Sequence, residues 1–311
     1  MKPKFSVVVP VYNKANFVKQ TIQSVLAQDF TDYEVILVND GSTDASLQIL
    51  KAFNVPNITL LNQENQGLCV ARNAGIRAAK GEIIALLDAD DLWDPGHLQT
   101  LFELSQNFPE ASLYGTAYVE LFPDGKQIPP KINLRTSKQQ LLIEDFFEAA
   151  LFQPLVPPSS FAFKKEVVES IGGFDTTVTY FEDVDFYIRA NLKFKMAYAT
   201  RATMHYRFES ENQVTHSKLH EQRIADLSKY LNTYPQHKSL RNYIHQHWYF
   251  LCNHFKTEGA QKQHNLLRSK LHTRLLNPRQ RLLLALPTPA LRALRSFKSS
   301  LLKKGFRVTS F

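Results

Sequence analysis

Asp88, Asp90 and Asp91 follow directly on the apolar run Ile83–Leu87. Carboxylates this close repel one another, and each pays for any burial. A divalent cation offsets both costs, and an oxygen-only cluster suits Mn²⁺ or Mg²⁺. A run of this kind reads as a strand buried on both faces of a parallel sheet. Ligands of open α/β sheets bind beyond the carboxyl ends of such strands, where these aspartates fall. The plainer reading is solvated charge before a helix at Pro95–Asn107, with Asp94 as N-cap and Pro95 at the first helical position.

Three other segments carry similar chemistry. Pro10-Val11-Tyr12-Asn13 ends a first apolar run, and its proline should stop ladder donation. Tyr12 and Asn13 then offer an aromatic face and an amide, a pairing suited to a nucleobase; an ordinary strand exit would look the same. Asp40, in Asn39-Asp40-Gly41-Ser42-Thr43-Asp44, falls at a second strand tip, where it could accept from a ribose hydroxyl or a base N–H. Gly41 permits a tight turn, and Ser42, Thr43 or Asp44 can cap the following helix. Arg72 opens a helix near the same edge and could meet a negative group, while Gly75 would let that helix approach the sheet closely.

The elements that must hold these residues alternate. Strands are expected at Phe5–Pro10, Tyr33–Val38, Ile58–Leu61 and Ile83–Leu87, and helices at Ala15–Gln28, Asp44–Phe53 and Cys69–Ala79. That rhythm predicts a right-handed, doubly wound, mostly parallel sheet. Further on, Ser112–Leu121 reads as a strand, Ser137–Phe152 as a helix, Ser159–Phe163 as a strand and Lys164–Ile171 as a helix. Beyond Ser217 strand signals vanish, and helices are expected at Leu219–Tyr230, Leu240–Phe255 and Ala260–Leu276.

With 311 residues, 44% hydrophobic and 21% charged, the chain can bury a large α/β core. Met1–Lys4 runs straight into a strand-like segment, so no signal peptide is expected, and no stretch has the roughly 20 apolar residues of a membrane span. Cys69 and Cys252 form no framework and read as buried free thiols. The net charge of +8 is uneven: no acidic residue follows Glu258, whereas twelve Lys and Arg do. Taking those twelve from the 37 leaves 25 basic against 29 acidic residues, net −4, over residues 1–258. Within the tail, Leu291, Leu294, Phe297 and Leu301 form an apolar helical face on which Lys298 encroaches. A basic amphipathic helix of this kind suits an anionic lipid surface, or packing against a partner or the rest of the chain. Interleaved leucines argue against a nucleic-acid track.

In order along the chain, SVVVPVYN (Ser6–Asn13), VILVNDGSTD (Val35–Asp44), NQGLCVARNAG (Asn65–Gly75), GEIIALLDADD (Gly81–Asp91), GGFD (Gly172–Asp175) and FEDVDFYIR (Phe181–Arg189) resemble the large inverting glycosyltransferase family 2. The similarity is to members that build bacterial cell-surface polysaccharide and covers about the first 210 residues. It implies a GT-A fold over residues 1–216, with a helical extension and basic amphipathic tail over 217–311. By this resemblance Pro10, Tyr12, Asn13 and Asp40 would form the nucleoside pocket, with Arg72 near the base or diphosphate. Asp88-Ala89-Asp90 would be the DXD element, Asp88 facing the ribose and Asp90 holding Mn²⁺ or Mg²⁺. Asp91 would contact the donor sugar or cap the next turn.

Asp183 would be the general base, Glu182 would position the acceptor, and Gly173 and Asp175 would shape an acceptor-side loop. Asp185 and Arg189 read as an ion pair at i, i+4. The family's Tyr-Arg-x-His stretch is here Tyr206-Arg207-Phe208-Glu209, which leaves His205 or His216 as candidates to complete the metal shell. The implied activity is metal-dependent transfer of a hexose or N-acetylhexosamine from a nucleotide-sugar, first of all a UDP-sugar, to a hydroxyl of a glycan or lipid-linked acceptor. The enzyme would be cytoplasmic, touching the inner face of the membrane through its tail, with no nucleic-acid partner. A sugar nucleotidyltransferase, or a non-catalytic nucleotide-sugar-binding or membrane-associated scaffold, are the alternatives.

Overall fold

β1 (Phe5–Val11) is buried at every residue, and its side chains alternate between two apolar layers. Val7 and Val9 face one layer with α1 (Val18–Leu26), while Val8 faces the other. The chain continues through β2 (Tyr33–Asp40), α2 (Ser46–Lys51), β3 (Ile58–Gln63), α3 (Leu68–Ala78), β4 (Ile83–Leu86), β5 (Leu92–Trp93), α4 (His97–Asn107) and β6 (Ala111–Leu121). β7 (Gln127–Ile128), β8 (Gln140–Ile143), α5 (Phe146–Ala149), β9 (Phe161–Lys164), α6 (Lys165–Ile171), α7 (Glu182–Asn191) and β10 (Lys195–Arg207) complete the sheet region. α8 (Ser228–Thr233), α9 (Lys238–Glu258), α10 (Gln261–Lys270), α11 (Pro278–Ala285) and α12 (Thr288–Lys303) follow. This computed structural model describes residues 2–208, 210–211, 218–303 and 307.

The strands form one mixed sheet in the order β3-β2-β1-β4-β9-β6-β10-β5, with β7 beside β6 and β8 beside β10. The half from β3 to β4 is parallel throughout, as the alternating pattern predicts. β9 then enters antiparallel between β4 and β6, and β10 runs parallel to β6. Among the described residues no helix is long and apolar enough to cross a membrane.

Several expected boundaries move, each for a physical reason. Pro10 does not end β1, which pairs with β2 through Val11. Val8 O accepts from Leu87 N, so Pro10, two residues on, turns its missing donor toward the side that β4 has already left. Ser137–Phe152 is not a helix: Gln140–Ile143 pairs with the open edge of β10, leaving only the four-residue α5, capped by Asp145 Oδ1 on Glu148 N. Tertiary pairing outweighs local helical spacing there. β10, thirteen residues long, was invisible in the sequence because register shifts at 195–204 break its alternation. Asp94 caps nothing with its side chain, and α4 begins two residues later than expected, at His97. Leu219–Tyr230 holds only a short 3₁₀ turn at Leu219–Glu221 and the start of α8, and Ala260–Leu276 breaks after Lys270.

Candidate active site

β1, β2 and β4 point their carboxyl ends at one cavity of about 1590 Å³. Pro10, Tyr12 and Asp40 line it at the strand ends, Asp88 and Asp90 just past β4, and Glu182 and Asp183 at the opening of α7. Five of the six sequence motifs thus converge where an open α/β sheet binds its ligand, all but Gly172–Asp175.

Each side chain has a local cause for its position. Tyr12 is 43% exposed, its ring free for stacking. Asp40 is 2% exposed and accepts from Gln63 Nε2 (2.7 Å), Gln66 N (3.0 Å) and Gly67 N (2.9 Å), pinning the loop before α3 over the cavity. Gly41, at φ +68°, makes the turn beside that loop, and a Cβ there would lie 2.6 Å from Asn65 N. α3 closes on the sheet because Gly75 has no Cβ; one would sit 2.4 Å from Val8 Cγ1.

Arg72 is the centre of the charge arrangement. It is 1% exposed, and its guanidinium donates to Asp88 Oδ1 (2.7 Å) and to Glu182 Oε1 (3.1 Å), above the Phe174 ring at 5.3 Å. It therefore ties the post-β4 carboxylates to the α7 pair, at the wall of the cavity. Burial, then repulsion from Asp183, raises the Glu182 carboxyl well above the ordinary carboxylate range. Burial also raises Asp183, against the pull of Arg72 and a hydrogen bond from Val184 N. Phe181 caps α7 at φ +64°, a strained conformation for a bulky residue. The N-terminal end of the helix dipole favours ionised carboxylates at that position.

The structure separates other expected residues from the cavity. Asn13, at φ +52°, turns its Oδ1 to Thr43 N (2.8 Å) and Asp44 N (3.3 Å), clipping the β1 exit to the loop after β2. Asp91 does not line the cavity, and its side chain caps no turn. It is 1% exposed, accepting from Ser159 Oγ (2.6 Å) and Arg207 N (2.9 Å), and burial beside Asp90 and Asp88 raises its carboxyl far above the usual range. His205 is not a neighbour of Asp90: its Nε2 pairs with Asp94 at 2.7 Å, because β5 and β10 are adjacent. His216 lies outside the described residues. Gly173 packs against the Asn73 amide, and Asp175 accepts from Thr177 N (2.9 Å); neither lines the cavity. The Asp185–Arg189 pair forms at 2.8 Å, and Arg189 also donates to the carbonyls of Ile171 and Gly173.

Lys14 was missed. It follows the Tyr-Asn pair directly, and its Nζ donates to Asp90 Oδ2 at 2.7 Å and Glu211 O at 2.7 Å; Ser210 Oγ donates to the same Asp90 oxygen. Asp88 and Asp90 suit a divalent cation in chemistry, since Mg²⁺ is commonly held by one or two carboxylates plus substrate phosphates. Among the described residues no third His, Cys, Asp or Glu joins them, so the remaining ligands would come from the substrate or water. Cys69 and Cys252 are free and buried, and burial pushes both thiols up to about 12, which makes them inert.

Three comparisons bear on this arrangement. Glycosyltransferase alr2836 of Nostoc sp. is 35% identical over 179 residues, which is 55% of this chain and 54% of that protein. The chain thus spans about half the length of that relative. EpsH of Bacillus subtilis is 28% identical over 289 residues, 86% of this chain and 82% of its own. S. aureus TarS 1-349, solved in complex with UDP-GlcNAc, superposes with a TM-score of 0.59 at 21% identity, covering 69% of this chain and 61% of that one, and so shares the fold. Residues 6–172, more than half of the chain, match the model of glycosyl transferase family 2, and the chain belongs to that family.

Proposed function

We propose that the protein transfers a sugar from a nucleoside diphosphate-sugar to an acceptor hydroxyl with inversion at the anomeric carbon. The observation that carries this reading is the single cavity shared by Asp40, Asp88, Asp90, Glu182 and Asp183, with Arg72 bridging Asp88 and Glu182. Tyr12 would stack on the base and Asp40 would line the nucleoside end. Asp88 and Asp90 would hold Mn²⁺ or Mg²⁺, which supplies a Lewis acid that neutralises the departing diphosphate.

Asp183 takes the proton of the acceptor hydroxyl as its oxygen bonds to the anomeric carbon. The bond from that carbon to the phosphate oxygen breaks, and its electron pair leaves with the nucleoside diphosphate. Glu182, held by Arg72, fixes the acceptor beside Asp183. UDP is the first nucleotide to try, because TarS of the same fold was solved with UDP-GlcNAc. A glycan or lipid-linked glycan is the acceptor class, and the exposed Phe297 and Leu282 beside basic residues are the candidate membrane contact of a cytoplasmic enzyme.

The test is a thermal-shift series of UDP, GDP, CDP, ADP and dTDP, with and without Mn²⁺. One nucleotide should stabilise the protein in the presence of metal, by about 2.7 kcal/mol at a hundred times its dissociation constant. Asp90→Ala should remove the metal dependence, and unchanged nucleotide affinity would discard its ligand role. Asp183→Asn should bind the nucleotide normally and lose at least about a hundredfold in transfer rate; wild-type turnover would remove it as base.

A further inference from the structure

The cavity runs from the strand ends to a wall formed by α9 and α12, where Tyr243 and Leu294 line it. Two cations stand among the carboxylates at its strand end, and they are held differently. Arg72 is buried and pinned by Asp88 and Glu182 over the Phe174 ring, so its charge is fixed in place. Lys14 is anchored at its backbone instead. Its N donates to Ser46 Oγ (2.8 Å), and its O accepts from Phe17 N and Val18 N (2.9 Å each). From that anchor a four-carbon stem carries the ammonium into the cavity wall, where it ends on Asp90 Oδ2 and Glu211 O.

The ion pair has a physical cause. The Asp90 side chain is 10% exposed and that of Lys14 12%, so either charge without the other would stand nearly dry. Lys14 therefore neutralises the same carboxylate that a divalent cation would use. The two cations cannot both be served by that carboxylate at low cost. A dication beside Asp90 adds charge to a pair that is already balanced, and it repels the ammonium. A nucleoside diphosphate reverses that balance, because its oxygens give the displaced ammonium a new partner. Lysine suits such an exchange: its charge is compact, its three donors rotate, and it binds phosphate as a point charge. Arg72, held at two carboxylates, has no such freedom.

We propose that Lys14 is the exchangeable counter-ion of Asp90. It holds the carboxylate in the free protein and passes to the diphosphate when nucleotide and metal enter together. Lys14 thereby couples the two ligands, opposing metal alone and favouring metal with a diphosphate. This rests on the glycosyl-transfer reading with Asp90 as a metal ligand.

The test is Mn²⁺ binding to the full chain, read from the loss of the free-ion EPR signal, without nucleotide, with uridine and with UDP. For the wild type, UDP should tighten Mn²⁺ about tenfold or more, whereas uridine, which has no diphosphate, should not. Lys14→Met should bind Mn²⁺ about tenfold tighter than the wild type in the absence of nucleotide, and UDP should then add correspondingly less. Lys14→Gln removes the charge but keeps a polar donor, so it should behave as Lys14→Met does and serves as the second variant if the first fails to fold. Lys14→Arg, which keeps the charge, should restore weak binding of metal alone. Equal Mn²⁺ affinity of the wild type and the uncharged variants without nucleotide would make Lys14 only a tether for Ser210 and Glu211, and would overturn the exchange. Tightening by uridine as large as by UDP would overturn it too, since the diphosphate would not be what draws the lysine away. Either result with UDP still bound overturns this inference alone; a wild type that binds no UDP, with or without Mn²⁺, overturns the donor reading with it.

Discussion

Arg72 holds the two halves of the candidate site in electrostatic register. Its charge lowers the proton affinity of Glu182 and Asp183, whereas burial raises both, and burial prevails. A general base works only when ionised, so activity is present above its pKa and lost as pH falls through it. The acid limb of the kcat/KM profile should therefore lie above the usual aspartate value, and Arg72→Met should move it further up. An acid limb that stays put in Arg72→Met would show that Arg72 does not act on the base. The same variant leaves Asp88 and Glu182 without their cation, which for a buried pair costs about 3–5 kcal/mol. Asp88 is partly exposed, which places the loss at the lower end, and a urea midpoint measures it. That Asp40, Arg72, Asp88 and Asp90 share one edge was legible because strand ends and helix starts fix where such residues fall, whereas Glu182 and Asp183 were added to them only by the family resemblance. Side-chain direction was not. Asp91 adjoins Asp90 in sequence yet points to Ser159, and His205 and Asn13 likewise turn to local partners.

At the scale of elements, the contact of α3 with β1 and β2 places Arg72 against the carboxylates. That contact depends on Gly75, since a Cβ would lie 2.4 Å from Val8 Cγ1 and 3.2 Å from Val38 Cγ2. Val8 is β-branched on a fully buried strand and has no alternative position to adopt. Gly75→Ala should therefore cost about 1–3 kcal/mol through overpacking, and should weaken nucleotide binding by displacing the loop at 65–67. An unchanged urea midpoint would mean that the helix shifts freely. The α3 helix and the four parallel strands were readable because apolar runs and glycines sit in local sequence. β8 and β10 were not, because a strand whose stability comes from pairing with a distant edge, across register shifts, leaves no period-2 trace. β10 nonetheless matters for the site: its end delivers Arg207 to Asp91, and the chain just beyond delivers Ser210 to Asp90.

Across the whole molecule, the basic helical extension contributes to the same apolar layer as the sheet. Val8, Ile84 and Phe161 belong to one continuous cluster with Phe146, Tyr187, Tyr243, Ile244, Trp248 and Leu284. Phe181, which caps the α7 carboxylates, rests its ring against His247 of α9 at 5.0 Å. The composition shift after Glu258 was plain in the sequence, but charge reports the surface, and this shared core is apolar. A boundary near residue 216 would thus mark a change of role, with the nucleotide site before it and the α9–α12 wall after it, rather than two folding units. Separate cores melt separately, whereas a shared core couples its parts into one transition. Calorimetry of the full chain should then show a single peak whose van't Hoff and calorimetric enthalpies agree. Replacing Leu240, fully buried in α9, by Ala should lower that one peak, with about 2–5 kcal/mol of stability lost. Saturating UDP with Mn²⁺ should raise the same peak rather than one of two. Two resolved transitions, with only the lower one responding to Leu240→Ala and only the upper one to nucleotide, would show that the extension folds on its own.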